Sequence, residues 1–171
     1  MRTIQTFLFF CAIHYAAAAP VNICLVNDDA VRLNTIRYME ASLMERGKEL
    51  NTEFRFTCDR DAGRLVIVRL RDSPSSAQPP NALGTVLVID GKVVGQVEVF
   101  CGSVMRMVAT RWPRLPAVEG WALATVAAHE MYHYLFNEHD HHHGPLNEQF
   151  MNADGLLRGF HKLSLAEDRS N

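Results

Sequence analysis

The sequence predicts one α/β domain built on a twisted, mixed sheet, and three observations carry that prediction. Residues 21–58 read as strand, helix, strand, the order of a βαβ unit with a parallel pair. Asp90-Gly91 lies between two apolar runs, which is a strong short-range hairpin signal and requires one antiparallel strand. Residues 117–136 are rich in Ala with apolar residues on most sides, as in a largely buried helix. The composition, 171 residues with 48% hydrophobic and 21% charged, is that of an ordinary globular domain. It excludes a disordered tail, a collagen-like rod and a disulfide mini-protein.

Taken in chain order, residues 1–18 read as a signal peptide. Arg2 supplies the positive start, residues 4–13 are a nearly uninterrupted apolar run, and residues 16–19 are alanines suited to cleavage after Ala18. His14 and the small-residue tract end the run well short of the roughly 20 apolar residues of a spanning helix. Cys11 has Phe-Phe before it rather than small residues, so no lipid-attachment motif is present. The expectation is a secreted or periplasmic chain whose residues 19–171 form one domain, with no stable membrane insertion after cleavage.

Residues 21–27 (VNICLVN) form a short apolar run that ends in Asn27, Asp28 and Asp29, as a buried strand ends at a helix N-cap. From Ala30, the residues Ile36, Met39, Leu43 and Met44 recur at helical spacing, and Gly47 is placed to end the helix. Residues 53–58 (EFRFTC) alternate like a strand, and residues 65–70 (LVIVRL) read as a central strand covered on both faces. Residues 72–84, rich in Ser and Pro, are a surface loop. The hairpin strands are residues 85–89 and 92–101, and the long helix follows Pro113 and Pro116. Beyond residue 137 the tail is short and carries little periodicity. Of Cys24, Cys58 and Cys101, at least one has no partner within the chain; no disulfide framework is implied, and buried small hydrophobes at strand ends is the plainer reading.

The chemistry is concentrated in His129-Glu130-Met131-Tyr132-His133, an HExxH pentad inside the long helix. Histidines four residues apart project from one helical face, so both imidazoles can reach one metal ion, and Glu130 lies beside them as a general base toward a zinc-activated water. Six of the eight histidines fall between residues 129 and 143, which supplies the third ligand a catalytic zinc requires. His139 and His141 are both candidates for that place. His142 and His143 read as solvated, Met151 as a core residue, and a glutamate ligand among Glu138, Glu148 and Glu167 as a minor alternative. Cys101, Ser103 and His161 form no nucleophile set. Tyr132 and Tyr134 read as packing residues, and Trp112 and Trp121 as anchors of the helix and its start.

His129, Glu130, His133 and His139 fit HExxHxxxxxH, and on these residues the chain resembles the metzincin zinc peptidases. The order of predicted elements over residues 21–147 is also similar to the upper part of that fold. The family's turn glycine is replaced by Phe136, and Asn137 is the residue able to take the left-handed conformation instead, one position later. Residues 141–156 (HHHGPLNEQFMNADGL) resemble small exported bacterial zincin-like proteins, in which a longer turn precedes the third ligand; that alternative favours His141. The resemblance implies a zincin-like α/β fold: a mixed sheet with an antiparallel edge strand, a crossover helix, the HExxH helix and a small C-terminal tail. It also implies a metallopeptidase with Zn²⁺ as cofactor and Glu130 as base. Residues 85–89 are then an edge strand able to receive an extended peptide. The expected partner is a peptide or protein substrate and the expected state a monomer. With 17 Lys+Arg against 19 Asp+Glu there is no basic excess for nucleic acid. Two other readings stand beside this one: a catalytically silent zincin-like domain that binds zinc or peptide, and a histidine-rich metal-sequestering protein.

Overall fold

The computed structural model describes residues 20–28, 30–137 and 152–158. The expected signal peptide, His139, His141 and the remainder of the histidine cluster lie outside these residues. Within them the chain is α/β, with a five-stranded mixed sheet in the order β2-β1-β3-β5-β4. The strands are β1 (Val21–Asn27), β2 (Phe54–Phe56), β3 (Arg64–Arg71), β4 (Gly84–Ile89) and β5 (Lys92–Phe100). β1 pairs in parallel with β2 and β3, β3 in parallel with β5, and β4 antiparallel with β5 alone, at the edge. The helices are α1 (Leu33–Glu49), α2 (Cys101–Ala109), α3 (Pro116–Phe136) and the short α4 (Ala153–Leu156).

Register decides which side chains form the core. Ile23 stands opposite Val66, Val68 opposite Val97 and Leu70 opposite Val99, and all six are buried in one cluster with Met39 and Leu43 of α1 and the apolar residues of α3. Each such side chain removed from water contributes about 1.5–3 kcal/mol. The alternate residues of β3, Leu65, Ile67, Arg69 and Arg71, are half-buried, so β3 is central but is fully covered on one face rather than two. The two arginines on that face account for the difference, because their guanidinium groups keep access to water.

α1 begins later than the polar run Asn27 to Asp29 suggests. Arg32 is its N-cap and makes no side-chain cap bond, while Asn27 ties the preceding turn by accepting from Val31 N (3.1 Å) and donating to Val31 O (2.8 Å). Gly47 lies inside the helix, and Asn51 (φ 50°) takes the left-handed conformation expected of the terminating residue. The hairpin is as read: Asp90 and Gly91 both have positive φ (50° and 71°), the requirement of a two-residue primed turn, with Ile89 opposite Lys92.

Two features correct the sequence reading. Cys24 and Cys58 form a disulfide, with Cα atoms 4.5 Å apart, and among the described residues Cys101 is the free, buried thiol. The parallel register explains the pairing: Ile23 stands opposite Phe56 and its carbonyl accepts from Thr57 N (3.0 Å), which brings the next residues of both segments together. The second correction is α2, which begins at the residue where the β5 run was expected to end. It buries Cys101, Val104 and Val108.

α1 and α3 make the most extensive packing between any two elements. Gly120 sits at their crossing, where a Cβ would lie 2.6 Å from Tyr38 Cβ and 2.7 Å from Thr35 O. Its role is close approach of two backbones. Further along α1, the buried Arg46 stacks 4.5 Å over the Trp121 ring and donates to Thr125 Oγ1 (3.0 Å) and Arg158 O (3.0 Å). These bonds tie α1, α3 and the segment after α4 together, and they make Trp121 the anchor expected of it. Among the described residues no helix is long and apolar enough to cross a membrane.

Candidate metal and catalytic site

α3 is helical because it starts on Pro116 at an N-terminal position that needs no N–H donor, then runs through Ala-rich sequence with little side-chain entropy to lose. Residues Val118 to Met131 are buried throughout, so the pentad enters the interior on a rigid element. His129, Glu130 and His133 are all buried, at 6%, 9% and 5% relative exposure. Four-residue spacing stacks the two imidazoles on one face: their Nε2 atoms are 3.3 Å apart and the rings meet edge-on, with centroids 4.9 Å apart at 89°.

That separation is a test of fit for zinc. Two nitrogen ligands about 2.0–2.1 Å from a tetrahedral zinc lie roughly 3.3–3.4 Å from each other, because the tetrahedral angle fixes their separation. The observed 3.3 Å meets this, and imidazole nitrogen is a donor type that zinc takes. Among the described residues no group of three or more His, Cys, Asp or Glu side chains is arranged to hold a metal ion. His129 and His133 therefore make up the described part of the candidate centre.

Glu130 packs against the start of β4 at the sheet edge. A Cβ placed on Gly84, the first residue of β4, would lie 2.9 Å from Glu130 Cγ and 3.0 Å from its Oε1. The missing side chain of Gly84 is the space in which the carboxylate sits. Burial pushes the Glu130 carboxyl up to about 8, as expected of a carboxylate removed from water; a cation at the adjacent histidines acts in the opposite sense by favouring the charged form.

The C-terminal end of α3 is held from three sides. Asn137 is left-handed (φ 51°, ψ 40°) and its N–H bonds to His133 O, so the turn falls one residue after Phe136. Arg64, the first residue of β3, donates to the carbonyls of Tyr134 (3.4 Å) and Leu135 (3.2 Å) and stacks 4.7 Å over the Tyr134 ring. A cation here also complements the negative end of the helix dipole. Tyr134 packs over Gly95 of β5, and Tyr132 lies 4.5 Å from the Phe136 ring, so both tyrosines are packing residues. Burial pushes the Cys101 thiol up to about 12, which favours its protonated form, and Ser103 is buried and accepts from Arg106 (3.1 Å).

Arg64 and Gly84 are the site residues that sequence reasoning did not single out. Gly84 had a local signal, a glycine immediately before a strand, but its partner lies 46 residues further along the chain. His139, His141, His142, His143, Glu138, Glu148, Met151, His161 and Glu167 lie outside the described residues.

Comparison of the chain with protein-family models, with curated proteins and with solved structures finds no match in any of the three.

Proposed function

We propose that the chain is an exported zinc-dependent metallopeptidase of zincin-like fold. The observation that carries this reading is the pair of buried imidazole nitrogens 3.3 Å apart, one residue from a buried carboxylate that faces a sheet edge. His129 and His133 would hold zinc together with His139 or His141. Zinc, when bound, supplies Lewis acidity toward a peptide carbonyl. Glu130 accepts a proton from the attacking water and delivers it to the amine nitrogen as the peptide bond breaks. Packing of Glu130 beneath Gly84 limits its rotamers, so the base is oriented before substrate arrives.

β4 supports the same reading from the substrate side. It pairs with β5 on one side and packs against α3, and Leu87, Val88 and Ile89 on it are exposed apolar residues. An extended peptide can add to such an edge through main-chain hydrogen bonds. The disulfide between Cys24 and Cys58 belongs with an oxidising compartment, which supports export.

Substituting Glu130→Gln tests the assignment, because the amide keeps the shape of the side chain and loses the base. Bound zinc should be retained while hydrolysis of a mixed fluorogenic peptide library falls by at least 10²-fold. A parent protein that binds zinc and cleaves no peptide would replace this reading with the silent zinc-binding domain.

A further inference from the structure

A cavity of about 680 Å³ opens at the end of α3 away from the HExxH pentad. It lies at the carboxyl ends of β1 and β3 and the start of α2, and Glu119 on its wall is eleven residues before Glu130, roughly 16 Å along the helix axis. It is therefore separate from the histidine pair. Open α/β sheets place ligands at this end of their parallel strands, and the volume falls within the usual range for small-molecule sites.

The charge around the cavity is specific. Three arginines line it, Arg32, Arg106 and Arg114. Glu119, 3% exposed, is the fixed point between two of them: Arg114 Nε lies 3.1 Å from one of its oxygens and Arg32 3.7 Å from the other, with Thr35 Oγ1 at 3.4 Å. The buried carboxylate thus holds two exposed guanidinium groups at the rim without neutralising both, and Arg106 adds a third from α2. Asp72 is the one other acidic group on the described wall, and it is engaged with Ser73 Oγ (2.9 Å) while its backbone carbonyl accepts from Gly102 N (2.8 Å).

Backbone dipoles add to the same sign. α1 begins at Arg32, α2 at Cys101 and α3 directly after Arg114 and Leu115, and none of the three starts carries a side-chain cap bond. Neither α1 nor α2 has an acidic residue in its first turn. The starts of α1 and α2 bring partial positive charge to one concave surface, while the first turn of α3 carries Glu119. Cys101, on the wall, contributes a neutral thiol.

We propose that this cavity binds a small molecule through an oxyanion group, phosphate or carboxylate, held by Arg32, Arg106 and Arg114 at the starts of α1 and α2. Guanidinium groups match both oxyanions by paired N–H donors. The proposal does not depend on zinc or on peptidase activity.

Titration of the full ¹⁵N-labelled chain with inorganic phosphate, and separately with succinate, at ionic strength held constant with chloride, tests it. The expected result is saturable shifts confined to the amides of Leu33, Asn34, Gly102 and Ser103 for at least one of the two probes; which probe binds more tightly distinguishes phosphate from carboxylate ligands. Arg32→Gln and Arg106→Gln, both at exposed positions, should each weaken binding at least tenfold with the rest of the spectrum unchanged. Lysine at either place should restore part of it, and His129→Ala should leave binding intact. Shifts that do not saturate, affinity equal to the parent's in both glutamine variants, or loss of binding in a His129→Ala variant whose spectrum shows it folded would overturn the proposal.

Discussion

Gly84 and Glu130 occupy the same space: the α-carbon of the one stands where only a hydrogen fits against the side chain of the other, since an added methyl would meet Glu130 Oε1 at 3.0 Å and Val126 Cγ1 at 2.8 Å. The relationship joins the edge strand to the helix that carries the pentad. It makes the strand on which a peptide would lie and the base that would act on it parts of one packing unit.

Gly84→Ala should therefore act on catalysis more than on folding. Displacing Glu130 by a fraction of an ångström to about 1 Å is expected to lower kcat by up to about 10²-fold, with little change in KM and with zinc retained. Steady-state kinetics beside zinc content check this. A variant that keeps full kcat would show that the contact does not orient the base.

Gly120 makes the contrasting prediction, because its neighbours are backbone atoms of α1 at 2.7 and 2.8 Å as well as Tyr38 Cβ. Gly120→Val is expected to force α1 and α3 apart and to destabilise the fold by about 3 kcal/mol. The readout is a shift in the urea midpoint at unchanged m-value.

The cysteines give a chemical count. With its thiol pushed up to about 12 by burial, Cys101 stays protonated and enclosed at pH 8, so iodoacetamide should leave it unmodified in the folded chain beginning at residue 19. Unfolding without reductant should expose one thiol, and unfolding with reductant three, by mass. Removing the Cys24–Cys58 bridge, which spans 34 residues, by a double Ser substitution should cost about 2–4 kcal/mol.

These contrasts show what was legible in the sequence and why. The parallel β1–β2 pair, the antiparallel hairpin and the extent of α3 all rest on local signals: apolar period, the Asp90-Gly91 turn, and a proline at the helix start. Asn137 was legible in the same way, as the residue able to turn left-handed after Phe136. The disulfide was not, because three cysteines permit several pairings and only the register of Ile23 against Phe56 selects one. Nor was α2, since the continuous apolar character from Val97 through Cys101 hides the change from a two-residue to a helical period. Gly84 and Gly120 depend on contacts between segments far apart in the chain, which no local pattern contains. In the candidate centre, the pentad was legible because its two histidines and its glutamate lie on one element whose geometry is set by helix pitch.

The central claim is that His129 and His133 hold zinc, and zinc stoichiometry by native mass spectrometry on the chain beginning at residue 19, untagged, tests it most directly. The account predicts about one zinc per chain in the parent and none in a His129→Ala/His133→Ala double variant that remains folded by circular dichroism. Equal zinc in both proteins would place the metal outside α3 and contradict the metallopeptidase reading.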